Sequence, residues 1–218
     1  MDFWSPIFLS IQVTIIASIS TFIVAVAVAW LMRRRKFKGK NIVETLLLLP
    51  LVLPPTVVGF GLLWMFGRDS WIGRLYESIF SSSIVFSFTA AVMAASVVAF
   101  PIMYQTIKSG FQSVDAELED VAKVLGGNKY QIFRYVTIPL ARDLLIVGYI
   151  LGAARALGEF GATLMFAGNI PGVTQTIPTA IYLAVESGQT ELALYWVLSM
   201  VFLAFFLLLL VQRKRTNK

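Results

Sequence analysis

Ionisable side chains are scarce in this 218-residue chain, and two groups of them stand where chemistry is conceivable. The first is Asp115, Glu117, Glu119 and Asp120. The second is Arg155 and Glu159, one helical step of four apart at the end of an apolar run. Paired carboxylates can serve as general acid and base, and a charge set in hydrocarbon is a functional candidate by default. Neither group completes a catalytic set. The chain has no His and no Cys, which removes imidazole catalysis, thiol chemistry, disulfides and Cys/His metal sites. It has no Gly-x-x-x-x-Gly-Lys run, so it carries no P-loop of its own. No catalytic residue and no metal ligand is therefore expected. The four acids read more simply as charge in the early turns of a helix, where the positive end of the dipole favours it. Arg155 and Glu159 read either as a self-neutralised pair at the outer interface or as part of a path through the membrane.

The acids belong to a segment, residues 114–139, that is water-soluble in character yet lies between membrane-length apolar runs. Val114, Leu118, Val121 and Leu125 recur at steps of four, three and four and share one helical face. Gly126-Gly127 stops that helix. A short helix with an apolar face and no span of its own must dock on something.

Composition supplies the setting. Hydrophobic residues make up 58 % of the chain and charged residues 14 %, and the mean hydropathy is +0.79. This is the composition of an integral membrane protein. Spans are expected over residues 6–32, 45–67, 78–107, 136–157 and 192–211, with a cytoplasmic coupling loop over about 108–135, in one all-α polytopic domain covering 1–218. Asp2 precedes the first run and Arg33-Arg34-Arg35-Lys36 follows it, the reverse of a cleaved signal peptide. The stretch 160–185 is uncharged but interrupted by Gly161, Gly168, Pro171, Gly172 and Pro178, and reads as a broken, re-entrant or outer-surface segment. Of 18 basic residues, six lie at 33–40, five at Lys108, Lys123, Lys129, Arg134 and Arg142, and four at 213–218. Five spans from an outside N-terminus put all of these on the cytoplasmic side, as the positive-inside rule requires. The net charge of +6 thus reports orientation, and no nucleic-acid partner is needed.

Within the spans, Pro50, Pro54, Pro55, Gly59 and Gly61 free backbone groups in the second run. Hydrocarbon tolerates this only where protein or a water-lined cavity satisfies them. A bent helix lining a pathway is the functional reading and a packed kink the plain one. Ser10, Thr14, Ser18 and Thr21 share a face that suits either a pore or a neighbouring helix. Gly148-x-x-x-Gly152 allows close helix approach, within or between subunits.

The cytoplasmic segment resembles the coupling motif of binding-protein-dependent ABC transporter permeases. That motif runs Glu-Ala-Ala, three residues, Gly, then an apolar-x-Leu-Pro ending. Asp120-Val121-Ala122 stands in the first place, Gly126 in the second and Val136-Thr137-Ile138-Pro139 in the third. Asp for Glu and Val for Ala are departures that keep charge and apolarity. Leu49-Pro50-Leu-Val-Leu-Pro54-Pro55-Thr-Val-Val-Gly59 is similar to the second-span signature of molybdate permeases. Ala154-Arg155-Ala-Leu-Gly158-Glu159-Phe160-Gly161-Ala162-Thr163 is similar to their fourth-span ending, and Gly168-Asn169-Ile-Pro171-Gly172 with Thr176-Ile177-Pro178 to the segment after it. The resemblance covers nearly the whole chain, although sulfate permeases share the Gly-Glu-aromatic-Gly pattern.

The resemblance implies a type I ABC importer permease fold and a non-enzymatic subunit of an ATP-driven importer for molybdate. A second copy of the chain, two cytoplasmic ABC ATPase subunits, an external substrate-binding protein and membrane lipid are the implied partners. ATP and Mg would be held by the ATPase, with no cofactor in this chain. Glu119, Asp120, Val121, Ala122, Leu125 and Gly126 would couple to the ATPase. Pro54, Pro55, Thr56, Gly59, Arg155 and Glu159 are the candidates for the translocation pathway. The setting would be the cell (inner) membrane, N-terminus outside and C-terminus cytoplasmic. Tungstate or sulfate is the nearest alternative cargo. A stand-alone channel or proton-coupled carrier is the rival class, but it would more usually show intramembrane carboxylates or an inverted repeat, and neither is seen.

Overall fold

A computed structural model describes residues 2–35 and 37–216, with 210–216 as backbone only. Lys36 and Lys218, counted above among the basic clusters, lie outside the described residues. Every regular element among the described residues is helical. In chain order they are α1 (Trp4–Arg33), α2 (Lys40–Val52), α3 (Pro55–Phe66), α4 (Trp71–Phe80), α5 (Phe88–Gln112), α6 (Ala116–Val124), α7 (Lys129–Ile132), a π-helical turn (Phe133–Thr137), α8 (Ile138–Leu157), α9 (Gly161–Phe166), α10 (Ile177–Glu186) and α11 (Thr190–Thr216).

Four helical stretches are long and apolar enough to cross a bilayer: Trp4–Arg33, Phe88–Gln112, Lys129–Leu157 and Thr190–Leu209. The 30 residues of α1 span about 45 Å, more than the hydrocarbon core, so tilt or an emergent end is built in. Packing gives the directions. The first half of α1 (Leu9, Val13, Ala17) shares a core with the first half of α5 (Ala90, Ala91, Ala94, Ala95). The second half of α1 (Ala25, Ala29, Met32) shares another with the second half of α5 (Met103, Tyr104, Ile107, Phe111) and with Ala141 and Leu145 at the start of α8. Hence α1 and α5 run parallel and α8 runs against them. The chain must return from one end to the other between α1 and α5. It does so through α2 and α3: Leu47 and Leu48 pack on the core at the Arg33 end, while Val58 and Leu62 lie in the core at the opposite end. The second span is therefore a crossing bent by 116° in its middle.

Proline chemistry makes that bend. Leu53, held extended at φ −68° and ψ 142°, precedes Pro54, as sterics before proline favour. Pro54 and Pro55 supply no N–H to continue α2, and Pro55 suits the first turn of α3, where that donor would be orphaned anyway.

Three boundaries differ from the sequence expectation. The uncharged run 78–107 is divided: α4 ends at Phe80, and α5 begins at Phe88 and continues to Gln112. Ser81 and Phe86 take positive φ between them, and Ser87 caps α5 by accepting the Ala90 N–H. Hydropathy alone cannot see an N-cap inside an apolar run. The fourth spanning helix begins at Lys129 rather than 136, because the π-helical turn lets it continue past Pro139, which lacks the N–H a regular helix would use. The expected loop 108–135 accordingly shortens at both ends. The stretch 160–185 is broken as expected, into α9, a turn and α10.

The small-residue features belong to packing inside one chain. A Cβ on Gly152 would clash with the Met103 side chain, and one on Gly148 would sit 3.1 Å from Ile107 Cγ1. This is how α8 closes on α5. Ser18 Oγ donates to Ile15 O and meets Tyr149 Oη at 3.3 Å. Ser10 Oγ accepts the Ile177 N–H at 2.7 Å. These hydroxyls are buried and serve helix contacts.

Candidate coupling surface and translocation path

Helix α6 lies at the end that carries Arg33, Lys40 and Lys108. Asp115 caps it, its carboxylate accepting the Glu117 N–H. Gly126 ends it at φ +88°, and the Gly127 N–H reaches back to the Ala122 carbonyl at 2.9 Å. Positive φ is what glycine alone adopts cheaply. A Cβ on Gly126 would meet nothing within 4 Å, whereas one on Gly127 would stand 2.7 Å from Ala122 O. The first glycine is set by backbone conformation and the second by close approach.

The two sides of α6 differ sharply. Outward, Leu118 (49 %), Val121 (57 %), Val124 (88 %) and Leu125 (82 %) are exposed. Below them, Ala122, Leu125, Gly126, Gly127, Tyr135 and Val136 line a shallow depression of about 350 Å³. A contiguous apolar surface at the soluble end of a membrane protein marks an interaction site. Asp120 is also on the open side and pairs with Lys123 at 2.6 Å, which holds its carboxyl below the ordinary value. Val114, expected on the same face, is instead buried and anchors the start of the segment in the core.

Inward, Glu119 is only 2 % exposed. Its Oε1 accepts the Thr137 hydroxyl at 2.6 Å and lies 2.8 Å from Arg33 Nη1. Its Oε2 accepts Arg33 Nη2 at 3.0 Å and faces Arg34 Nη1 at the same distance. The Arg33 guanidinium lies 3.8 Å above the Trp30 ring, and Trp30 packs on Phe133 and Phe111. Burial by itself would raise the Glu119 pKa. The hydrogen bonds from Thr137 and Arg33, with the charges of Arg33 and Arg34, outweigh burial and hold it below the usual carboxylate value. Because the folded value lies below the unfolded one, this contribution to stability is fully present above the ordinary carboxylate range. It is lost as pH falls through the folded value. Of the six expected coupling residues, then, Asp120, Val121, Leu125 and Gly126 are on the open side, Ala122 is half-buried beside them and Glu119 faces the bundle. Arg33, Arg34 and Thr137 were missed from sequence, where Arg33 and Arg34 read only as topology charge. Nothing local links Arg33 to an acid 86 positions away.

The two stretches that hold the candidate pathway residues, about a hundred positions apart in sequence, meet where α3 packs on α9. A Cβ on Gly59 would lie 2.8 Å from Ala162 Cα and from Met165 Cβ, and one on Gly161 would lie 3.0 Å from Pro55 Cβ. These reciprocal contacts press α3 onto α9. Glu159 is buried, and its Oε1 accepts the Ala162 N–H at 2.8 Å, which ties down the start of α9. Its Oε2 faces Arg155 Nη1 at 2.9 Å. Arg155 is thus neutralised within its own chain. Pro54, Pro55 and Thr56 remain exposed at the bend, and no residue of α2 is buried. In the following turn Thr174 Oγ1 accepts the Ile170 N–H and Asn169 Nδ2 donates to Thr179 O, while Asn169 Oδ1 and Gln175 Nε2 are buried without a hydrogen-bond partner.

A bundle of spanning helices, one of them broken in mid-membrane, with a short amphipathic helix carried on the basic end, defines a multi-pass transport permease. The chain belongs to the family of binding-protein-dependent transport system inner membrane components, whose family model matches residues 21–215. It is 50 % identical over 99 % of its length to YvgM of Bacillus subtilis (strain 168), 95 % of which is covered and whose name assigns it provisionally to a molybdenum transport system permease. It is 41 % identical over 86 % of its length to the molybdenum transport system permease protein ModB of Escherichia coli (strain K12), with 82 % of that protein covered. Among solved structures, a bacterial ABC transporter that imports the acidic polysaccharide alginate aligns with a TM-score of 0.76 at 13 % identity, over 98 % of this chain and 78 % of that one. The MetNI methionine ABC transporter in inward-facing form aligns at 0.73 and 17 % identity, over 95 % and 92 %. The fold is that of type I ABC importer permeases, and the protein is a multi-pass component of the inner membrane.

Proposed function

We propose that this chain is the membrane-spanning subunit of an ATP-driven importer for molybdate. Two copies pair, each docks a cytoplasmic ABC ATPase through α6, and an external binding protein delivers the anion. The observation that carries this reading is the exposed Leu118–Val121–Val124–Leu125 face of α6 on the basic end of the bundle. The names of the curated relatives supply the cargo. By the positive-inside rule the basic end is cytoplasmic, which puts the N-terminus outside, the C-terminus inside and α6 within reach of the ATPase. ATP and Mg belong to that partner. The bare lower half of the second span, α2, together with the exposed Pro54–Thr56 corner, suits a face completed by the second copy and a path between the two.

The cargo carries two negative charges, which are costly in hydrocarbon. On the candidate path Arg155 is not free to hold it, being paired with Glu159. A conduit of hydroxyls, turned backbone and water fits this arrangement, and tight binding is left to the external protein. Arg155 and Glu159 in this view shape the path by fixing α9 against α3.

Reconstitution in proteoliposomes with the cognate ATPase and binding protein tests the reading. Molybdate uptake is expected only with ATP and both partners, with tungstate competing and sulfate competing weakly. Uptake without the ATPase would favour a stand-alone channel, and sulfate outcompeting molybdate would reassign the cargo.

A further inference from the structure

We propose that Glu119 is a positioning residue that locks the coupling helix to the end of the first span, so that α1 moves with α6 as one body during transport. The proposal rests on the reading of α6 as the ATPase-docking element.

Covalent connectivity gives α6 only two outlets, α5 before it and α7 with α8 after it. On that basis a push from the ATPase would rock the third and fourth spans alone. The Glu119 contacts add a third outlet. The carboxylate side chain is 3 % exposed and the Arg33 side chain 5 %. Both carboxylate oxygens are shared between α1 and its neighbours, through Arg33, Arg34 and Thr137. Pulling the two apart would strand a buried charge, the costliest way to break such a pair. The stacking of Arg33 on Trp30 leaves the guanidinium little freedom to follow α6 by bending. The clamp also lies on the side of α6 opposite its exposed apolar face, so a load on that face presses towards α1.

At its far end α1 is tied just as specifically. Ser10 accepts the Ile177 N–H that opens α10, and the Phe3 carbonyl accepts the Trp196 indole N–H at 3.0 Å. Helix α1 is thus an uninterrupted rod that joins the coupling helix to the turn and short helix at the opposite membrane surface. Displacement of α6 would reach that surface directly, without passing through the broken second span.

The chain contains no cysteine, so spin labels at Leu31→Cys in α1 and Glu117→Cys in α6 report this pair in a full transporter assembled from one labelled and one unlabelled copy with cysteine-free partners. The expected inter-label distance is narrow and the same in the nucleotide-free and ATP-bound states. Glu119→Gln should broaden it and lower uptake per ATP hydrolysed by about tenfold or more. The milder Arg34→Gln, at a half-exposed partner, keeps the test informative if Glu119→Gln fails to assemble. Its expected effect is a smaller loss in the same direction. A distance that changes between states in the parent overturns the proposal, as do variants that transport and hydrolyse like the parent. Absence of ATP-driven uptake in the parent would instead overturn the permease reading, and this joint with it.

Discussion

Gly126→Trp and Val121→Asp should each abolish ATP-driven uptake while leaving the protein inserted and folded in the membrane. The two act by different routes. At Gly126 the backbone holds φ +88°, which costs an ordinary L-residue about 1–2 kcal/mol, and the indole would project from the end of the docking face. At Val121, 57 % exposed, a carboxylate would be desolvated without a partner when the ATPase docks. Losing a central interface contact of this kind costs about 2 kcal/mol or more, roughly a 30-fold weaker complex. Pull-down of the ATPase on purified variants, read beside uptake, checks both. Gly126→Asn is the control, because asparagine tolerates a left-handed cap, and it should retain most activity. Full ATPase binding by Gly126→Trp and Val121→Asp would separate α6 from the docking surface.

Gly59→Leu should destabilise the protein and block transport, because α3 and α9 touch through backbone at that point. A single Cβ there already stands 2.8 Å from Ala162 Cα, and Ala162 cannot withdraw while Glu159 holds its N–H. Overpacking of a rigid site costs about 1–3 kcal/mol, which lowers a thermal midpoint by roughly 2–12 °C for a chain of this size. Gly59→Ala should show a smaller loss in the same direction. Gly61→Ala makes the contrast: its Cβ would meet nothing within 4 Å, and alanine is the better helix former by about 1 kcal/mol. Equal effects at the two glycines would show that α3 is not pressed onto α9.

Much of this architecture is legible in the residues because membrane physics writes it in one dimension. Charge-free runs mark the spans, basic clusters mark one end, and Pro54-Pro55 mark the break after Leu53, whereas Pro50 is carried inside α2. What hydropathy hides is local capping. Ser87 starts α5 inside a run that composition treats as uniform. Helix α6 was legible in its outer face, since Leu118, Val121 and Leu125 repeat with the helical period. Its inner face was not, because the partner of Glu119 is set by how α1 packs on α5 and α8. Arg33 carries no sequence mark that separates it from Arg34 or Arg35. The pathway candidates were legible as unusual residues in separate places. Only the fold shows that Gly59 and Gly161 are two sides of one contact, and that Glu159 serves α9 as well as Arg155.

The central claim is that α6 is the surface on which a cytoplasmic ATPase docks. A photo-activated crosslinker placed at Leu125, 82 % exposed on that face, measures it directly in the assembled, transporting complex. The same probe at Leu198, exposed on α11, is the comparison. The account predicts a covalent adduct between residue 125 and the ATPase subunit, with residue 198 labelling lipid only. An actively transporting complex in which residue 125 never captures the ATPase would contradict it.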